Sequence, residues 1–188
     1  MNNGIITNFT GHLLLATDSL KYSYFEKAVI FICSHNNEEG AMGLVLNSPL
    51  PATNFENLCD DLDIEQISNA SPTILSGGPV EPNRGFVLHG TDYNHKLTVP
   101  VTDDIMLSAT TDVIEATAKG TGPVSQNLCL GYSGWEPGQL ESEIFEDSWM
   151  LVPASRALLF ETPIEHRYEA AMASVGLVGS SMMTSALA

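Results

Sequence analysis

With 188 residues, 44% of them hydrophobic and 16% charged, the chain can bury one core without disulfide or metal staples. Seven Lys and Arg, scattered singly, face 23 Asp and Glu for a formal net charge of −16, which excludes a basic nucleic-acid footprint and opposes anionic membranes. No apolar run exceeds strand length, and Cys33, Cys59 and Cys129 are too widely spaced for a disulfide framework or a zinc knuckle, so a reduced cytoplasm is the expected compartment.

Gly11–Ala16 is a short apolar strand, followed by Ala28–Ser34 and Ala41–Leu46, which the polar turn His35–Gly40 joins as a hairpin. Their continuous apolar character predicts burial on both faces. A helix follows. Thr53 and Glu56 have capping-box spacing, and Phe55, Leu58, Cys59 and Leu62 recur on one helical face. Thr73–Ser76 and Gly85–His89 read as strands flanking a turn-rich segment, Gly77–Arg84. Short strands at Lys96–Val99 and Ile105–Ala109 lead to a helix at Asp112–Lys119, stopped by Gly120.

The next unit runs strand Asn127–Gly131, turn Tyr132–Gly138, helix Gln139–Phe145 and strand Ser148–Val152. A last helix begins at Thr162, with Pro163 pre-set for its first turn and Glu165 completing a second capping box. Its apolar stripe is Ile164, Tyr168, Ala171, Met172 and Val175, and Gly176 ends it. The tail 177–188 is small and apolar, suited to a docking helix. No linker or repeat divides residues 1–188, so a single α+β domain is expected rather than a doubly wound one.

Each candidate for chemistry has a plainer reading. Ser133 lies in Gly131-Tyr132-Ser133-Gly134 without the flanking glycine spacing of a nucleophile elbow. Cys33 and His35, two apart on a strand, should share a face, but no second ligand pair accompanies them and no metal or cofactor is expected. Asp60, Asp61, Asp63 and Glu65 fit a solvated helix end. Glu141, Glu143, Glu146 and Asp147 fit the polar face opposite Leu140, Ile144 and Phe145. Gly77-Gly78-Pro79 has no phosphate-loop pattern, and Pro79 removes one N–H that such a cradle needs.

Three segments in order carry a specific resemblance. They are Gly11–Thr17 through Gly40-Ala-Met-Gly-Leu-Val-Leu-Asn47, then Gly77-Gly-Pro-Val80 with Gly85-Phe-Val-Leu-His89, then Gly131-Tyr-Ser-Gly-Trp-Glu-Pro-Gly-Gln-Leu-Glu141 with Ser148-Trp149. Together they resemble the YqgE/AlgH family of uncharacterised bacterial proteins over about residues 10–175. The resemblance implies a strongly bent mixed sheet forming a pseudo-barrel with helices packed outside. It implies no established activity, and it brings a transcriptional-regulator label that the acidity of the chain opposes as direct DNA binding. The C-terminus departs from the Gly-His-Ala-like ending commoner in the family.

Two readings follow. The first is a non-enzymatic regulatory or binding protein with a protein or small-molecule partner. The second is an enzyme with a site between Gly77–His89 and Gly131–Glu141. Under either, the ligand-binding candidates are Gly77, Gly78, Arg84, His89, Tyr132, Trp135, Gln139 and Glu141. Trp135 is either a core pin or a site wall, and pinning is expected.

Overall fold

Apolar runs that cannot be solvated on either side set the first layer. The computed structural model describes residues 8–177 and opens with β1 (His12–Ala16), β2 (Val29–Asn36) and β3 (Gly40–Val45), an antiparallel trio with Leu13 opposite Phe31 and Phe31 opposite Leu44. Further along lie β4 (Ile74–Ser76), β5 (Val80–His89), β6 (Val99–Pro100), β7 (Met106–Ser108), β8 (Gln126–Trp135) and β9 (Trp149–Pro153). They form one sheet in the order β6-β7-β5-β8-β3-β2-β1-β9, with β4 lying parallel beside β8. Apart from β4 the pairings are antiparallel, and the sheet curls into a half-barrel.

Three cores follow from the curl. The inner face buries Leu15, Phe31, Leu44, Leu88 and Cys129, and is closed by a π-helical turn at Ala157–Glu161 and by α4 (Arg167–Ser174). Outside β1–β3, α3 (Gln139–Phe145) packs Leu140 against Ile30, Ile32, Trp135 and Trp149. Outside β5 and β8, α1 (Phe55–Asp61) and α2 (Thr111–Lys119) bury Phe55, Cys59, Val113 and Ile114 on Val87 and Leu128. No helix of the described residues is long and apolar enough to cross a membrane.

Several sequence expectations shift. Asn54, not Thr53, caps α1, its side chain accepting the Asn57 N–H at 2.8 Å. The Thr162 hydroxyl donates backward to the Ala157 carbonyl at 2.9 Å, so the second capping box does not form; a 3-10 turn at Ile164–His166 precedes α4. The turn-rich segment 77–84 joins the sheet from Val80 onward, its irregularity absorbed as a register break between Val80 and Gly85. The turn expected at Tyr132–Gly138 instead continues β8 through Trp135, because β3 is there to pair with it. Cys33 and His35 face opposite ways. A bulge between Ile32 and Ser34 shifts the register, leaving Cys33 in the inner core while His35 stacks on Phe9 outside. The docking helix expected at 177–188 lies, but for Leu177, outside the described residues.

Candidate functional site

The glycines of the two motif segments explain one another. The chain leaving β4 passes directly against the backbone of β8. A Cβ on Gly77 would fall on the Gly131 carbonyl oxygen, and one on Gly78 would fall on the Tyr132 carbonyl group. Gly131 and Gly78 also hold left-handed backbone angles, φ +74° and +151°. Backbone thus crosses backbone here, which no side chain permits, and the crossing delivers Val80 opposite Tyr132.

Beside this crossing lies a cavity of about 660 Å³. Its floor and walls include Met42 of β3, Arg84 and Phe86 of β5, Leu107 of β7, and Tyr132 and Trp135 of β8. Ser34, Asn36, Glu39, Glu136 and Gln139 form its polar margin. Tyr132 meets Phe86 edge to face at 5.7 Å, and the Arg84 guanidinium lies over the other aromatic, Phe86, at 5.1 Å while pairing with Glu81 at 2.9 Å. A second cavity of about 400 Å³, lined by Phe25, Pro79, Glu143 and Trp149, shares Val80, Gly134, Trp135 and Gln139 with the first.

A carboxylate node fixes the wall between them. Glu143 accepts the Trp135 indole N–H at 2.9 Å, the Trp149 indole N–H at 2.7 Å and the Gln139 amide at 2.8 Å. Gln139 also accepts the Glu136 N–H at 3.0 Å, closing the turn that starts α3. The two tryptophans meet edge to face at 6.1 Å. A polar face of α3 therefore holds a wall rather than being merely solvated.

Histidines lie elsewhere. His35 is buried; its Nδ1 accepts the Phe9 N–H at 3.2 Å, which fixes the tautomer in which Nε2 donates to Glu141 at 2.9 Å. His89 is fully buried. Its Nδ1 donates to the Gly90 carbonyl at 2.7 Å, and its Nε2 accepts from Ser108, which in turn meets Thr98 at 2.8 Å. Burial lowers its pKa, against smaller raising effects of the Gly90 carbonyl and Asp92. Ser133 is buried, its hydroxyl turned to the Gly77 carbonyl at 3.4 Å.

Of the sequence candidates, Arg84, Tyr132, Trp135 and Gln139 meet at the cavity; Gly77 and Gly78 build the crossing beside it; His89 and Glu141 do not line it. Sequence reasoning missed Ser34, Met42 and Leu107 in the lining, because alternation within β2, β3 and β7 gives no sign of which inward positions stay uncovered. It also missed Arg167. This arginine is buried, donating to the carbonyls of Leu46 and Thr162 and to Asn127 at 2.6, 3.2 and 2.8 Å, and it forms no ion pair among the described residues. No group of His, Cys, Asp and Glu with metal-holding geometry exists among the described residues.

Curled sheet, glycine crossing and open cavity define an α+β protein built around a concave groove. The AlgH-like family model matches residues 13–178, and the chain belongs to that family. A UPF0301 protein of Nitrobacter hamburgensis is 41% identical over 176 residues, 89% of this chain and 81% of the relative. One of Rhizobium etli is 38% identical, covering 95% of this chain and 92% of its own. The solution structure of the AlgH protein from Pseudomonas aeruginosa, 35% identical, superposes with a TM-score of 0.78 over 100% of this chain and 99% of that one. A crystal structure from Corynebacterium diphtheriae, 19% identical, shares the fold with a TM-score of 0.60 over 78% of this chain and 76% of its own.

Proposed function

We propose that this chain is a non-enzymatic, cytoplasmic regulatory protein that acts by binding a ligand in the groove beside the crossing of Gly77–Gly78 over β8. The observation that carries this reading is convergence: Arg84 from one glycine-rich segment and Tyr132, Trp135 and Gln139 from the other line one cavity of about 660 Å³, within the ~300–1,000 Å³ range of ligand sites. The lining favours holding over turnover. Among the described residues it contains no His, Cys or Lys, its carboxylates Glu39 and Glu136 are exposed at the margin, and the buried His89–Ser108 pair does not line it. Regulation therefore runs through a bound molecule rather than through direct contact with DNA, which a net charge of −16 opposes.

The test is a metabolite and peptide screen read by ligand-observed NMR, with wild type beside Gly134→Leu. Gly134 is exposed and lines both cavities, and a Cβ there meets only the Tyr132 ring at 3.4 Å, so leucine fills the groove without backbone strain. Hits lost in the variant support the reading; hits that persist unchanged refute it. A duplex-DNA titration should show no binding at physiological salt, and sub-micromolar affinity would refute the proposed mode of regulation.

A further inference from the structure

The groove has a sheet edge inside it. β5 accompanies β8 only as far as Val80 opposite Tyr132, and beyond that Ser133–Trp135 pair with β3 alone among the described strands. Gly134 lies in this half-paired stretch, exposed, with a cavity on either hand. An edge of this kind is a template for another strand. The two cavities, about 660 and 400 Å³, lie to either side of it with Val80, Gly134, Trp135 and Gln139 as their common wall, which suits alternate side chains of an extended segment better than one compact molecule.

Charge chooses among occupants. Glu39 and Glu136 stand at the margin of the larger cavity and Glu143 and Glu146 at the smaller. The cation in the lining, Arg84, is already held by Glu81 and by the face of Phe86. A second copy of this chain would bring a further −16, and a nucleic acid would bring phosphates, so both are repelled. Val80, which is 38% exposed, with the half-buried Met42 and Leu107, supplies apolar surface between the carboxylates. We propose that the open edge of β8 centred on the exposed Gly134 receives, by strand addition, an extended segment of a partner protein in which Lys or Arg alternates with apolar residues. This rests on the reading of the groove as a binding site and names its occupant.

Three synthetic heptapeptides test it against the isotope-labelled full chain: Ac-Lys-Val-Lys-Val-Lys-Val-Lys-NH2, its Glu-Val counterpart, and the basic peptide with alternate backbone nitrogens methylated. The basic peptide should shift the Gly134 amide and the Trp135 indole N–H saturably. The acidic one should not, and methylation should weaken binding at least about tenfold, since strand addition rests on main-chain hydrogen bonds. In Glu39→Lys/Glu136→Lys, two exposed positions, preference should pass to the acidic peptide. Equal binding of methylated and unmethylated peptides, shifts confined to other surfaces, or no basic-peptide binding would overturn the inference. If the basic peptide fails while screen hits are lost in Gly134→Leu, strand addition falls and the groove stands as a ligand site. If every ligand binds Gly134→Leu like wild type, the groove reading falls as well.

Discussion

Trp135→Ala separates a pinned wall from a loose one. The side chain is 6% exposed and packs among Ala41, Leu140 and Trp149, with its indole N–H on Glu143. Burying a tryptophan removes roughly 200 Å² from water, about 5 kcal/mol at ~25 cal/mol per Å² as an upper bound. Partial collapse of α3 onto the vacated space recovers some of this, and truncation of a buried large aromatic costs about 3–5 kcal/mol. The lost hydrogen bond adds little, because Glu143 keeps its Trp149 and Gln139 donors and is not stranded. Urea denaturation followed by far-UV circular dichroism measures the loss, and the Trp149 fluorescence checks that both probes report one transition. Trp135→Phe, which keeps most of the packing, should lose about 1–2 kcal/mol. A loss below about 1.5 kcal/mol in the alanine variant would refute pinning, since that is the range of ordinary substitutions.

Three further outcomes follow from buried groups. His89 has a lowered pKa, so the unfolded chain binds its proton first as pH falls; its stabilising contribution is complete above about pH 6.5 and is lost as pH drops toward the folded value. Urea midpoints should therefore fall more between pH 7.5 and 5.5 in wild type than in His89→Gln, and equal slopes would refute this. Burial raises all three thiols, Cys129 to about 12, so Ellman's reagent at pH 8 should label none of them in the native protein and all three in denaturant; rapid native labelling of Cys33 or Cys129 would refute it. Arg167→Lys loses the fork that reaches Leu46, Asn127 and Thr162, and should destabilise by about 2–3 kcal/mol; a loss under about 0.5 kcal/mol by the same urea titration would show those acceptors satisfied otherwise.

Local chemistry made much of this molecule readable. Apolar runs with turn signals placed β1 to β4, and Gly120, left-handed at φ +78°, ended α2 where its sequence position predicts. The motif glycines pointed to the cavity region because Arg84, Tyr132, Trp135 and Gln139 accompany them. What stayed hidden was pairing at a distance. Tyr132–Trp135 looks irregular on its own, with two glycines nearby, and becomes strand only because β3 lies some ninety residues earlier at its side. The bulge that turns Cys33 from His35 is likewise a property of the β2–β3 pair, not of either strand's letters. The Glu143 node needs the geometry of three elements at once, so from the sequence its carboxylate fits a solvated helix face.

β8 touches β3, β4 and β5, and it is the strand through which the two halves of the sheet are one. On the ribosome this strand emerges late. A nascent chain that has released residues 1–125 still lacks the strand that pairs with one edge of β3 and one edge of β5, so both edges stay bare until β8 arrives. Exposed apolar edges are the common route to misassembly during synthesis. The interval between translation of β5 and arrival of β8 is thus when the chain is most open to aggregation. Slowing translation while β5 has emerged and β8 is still inside the exit tunnel should lower soluble yield, and slowing it after β8 has emerged should not.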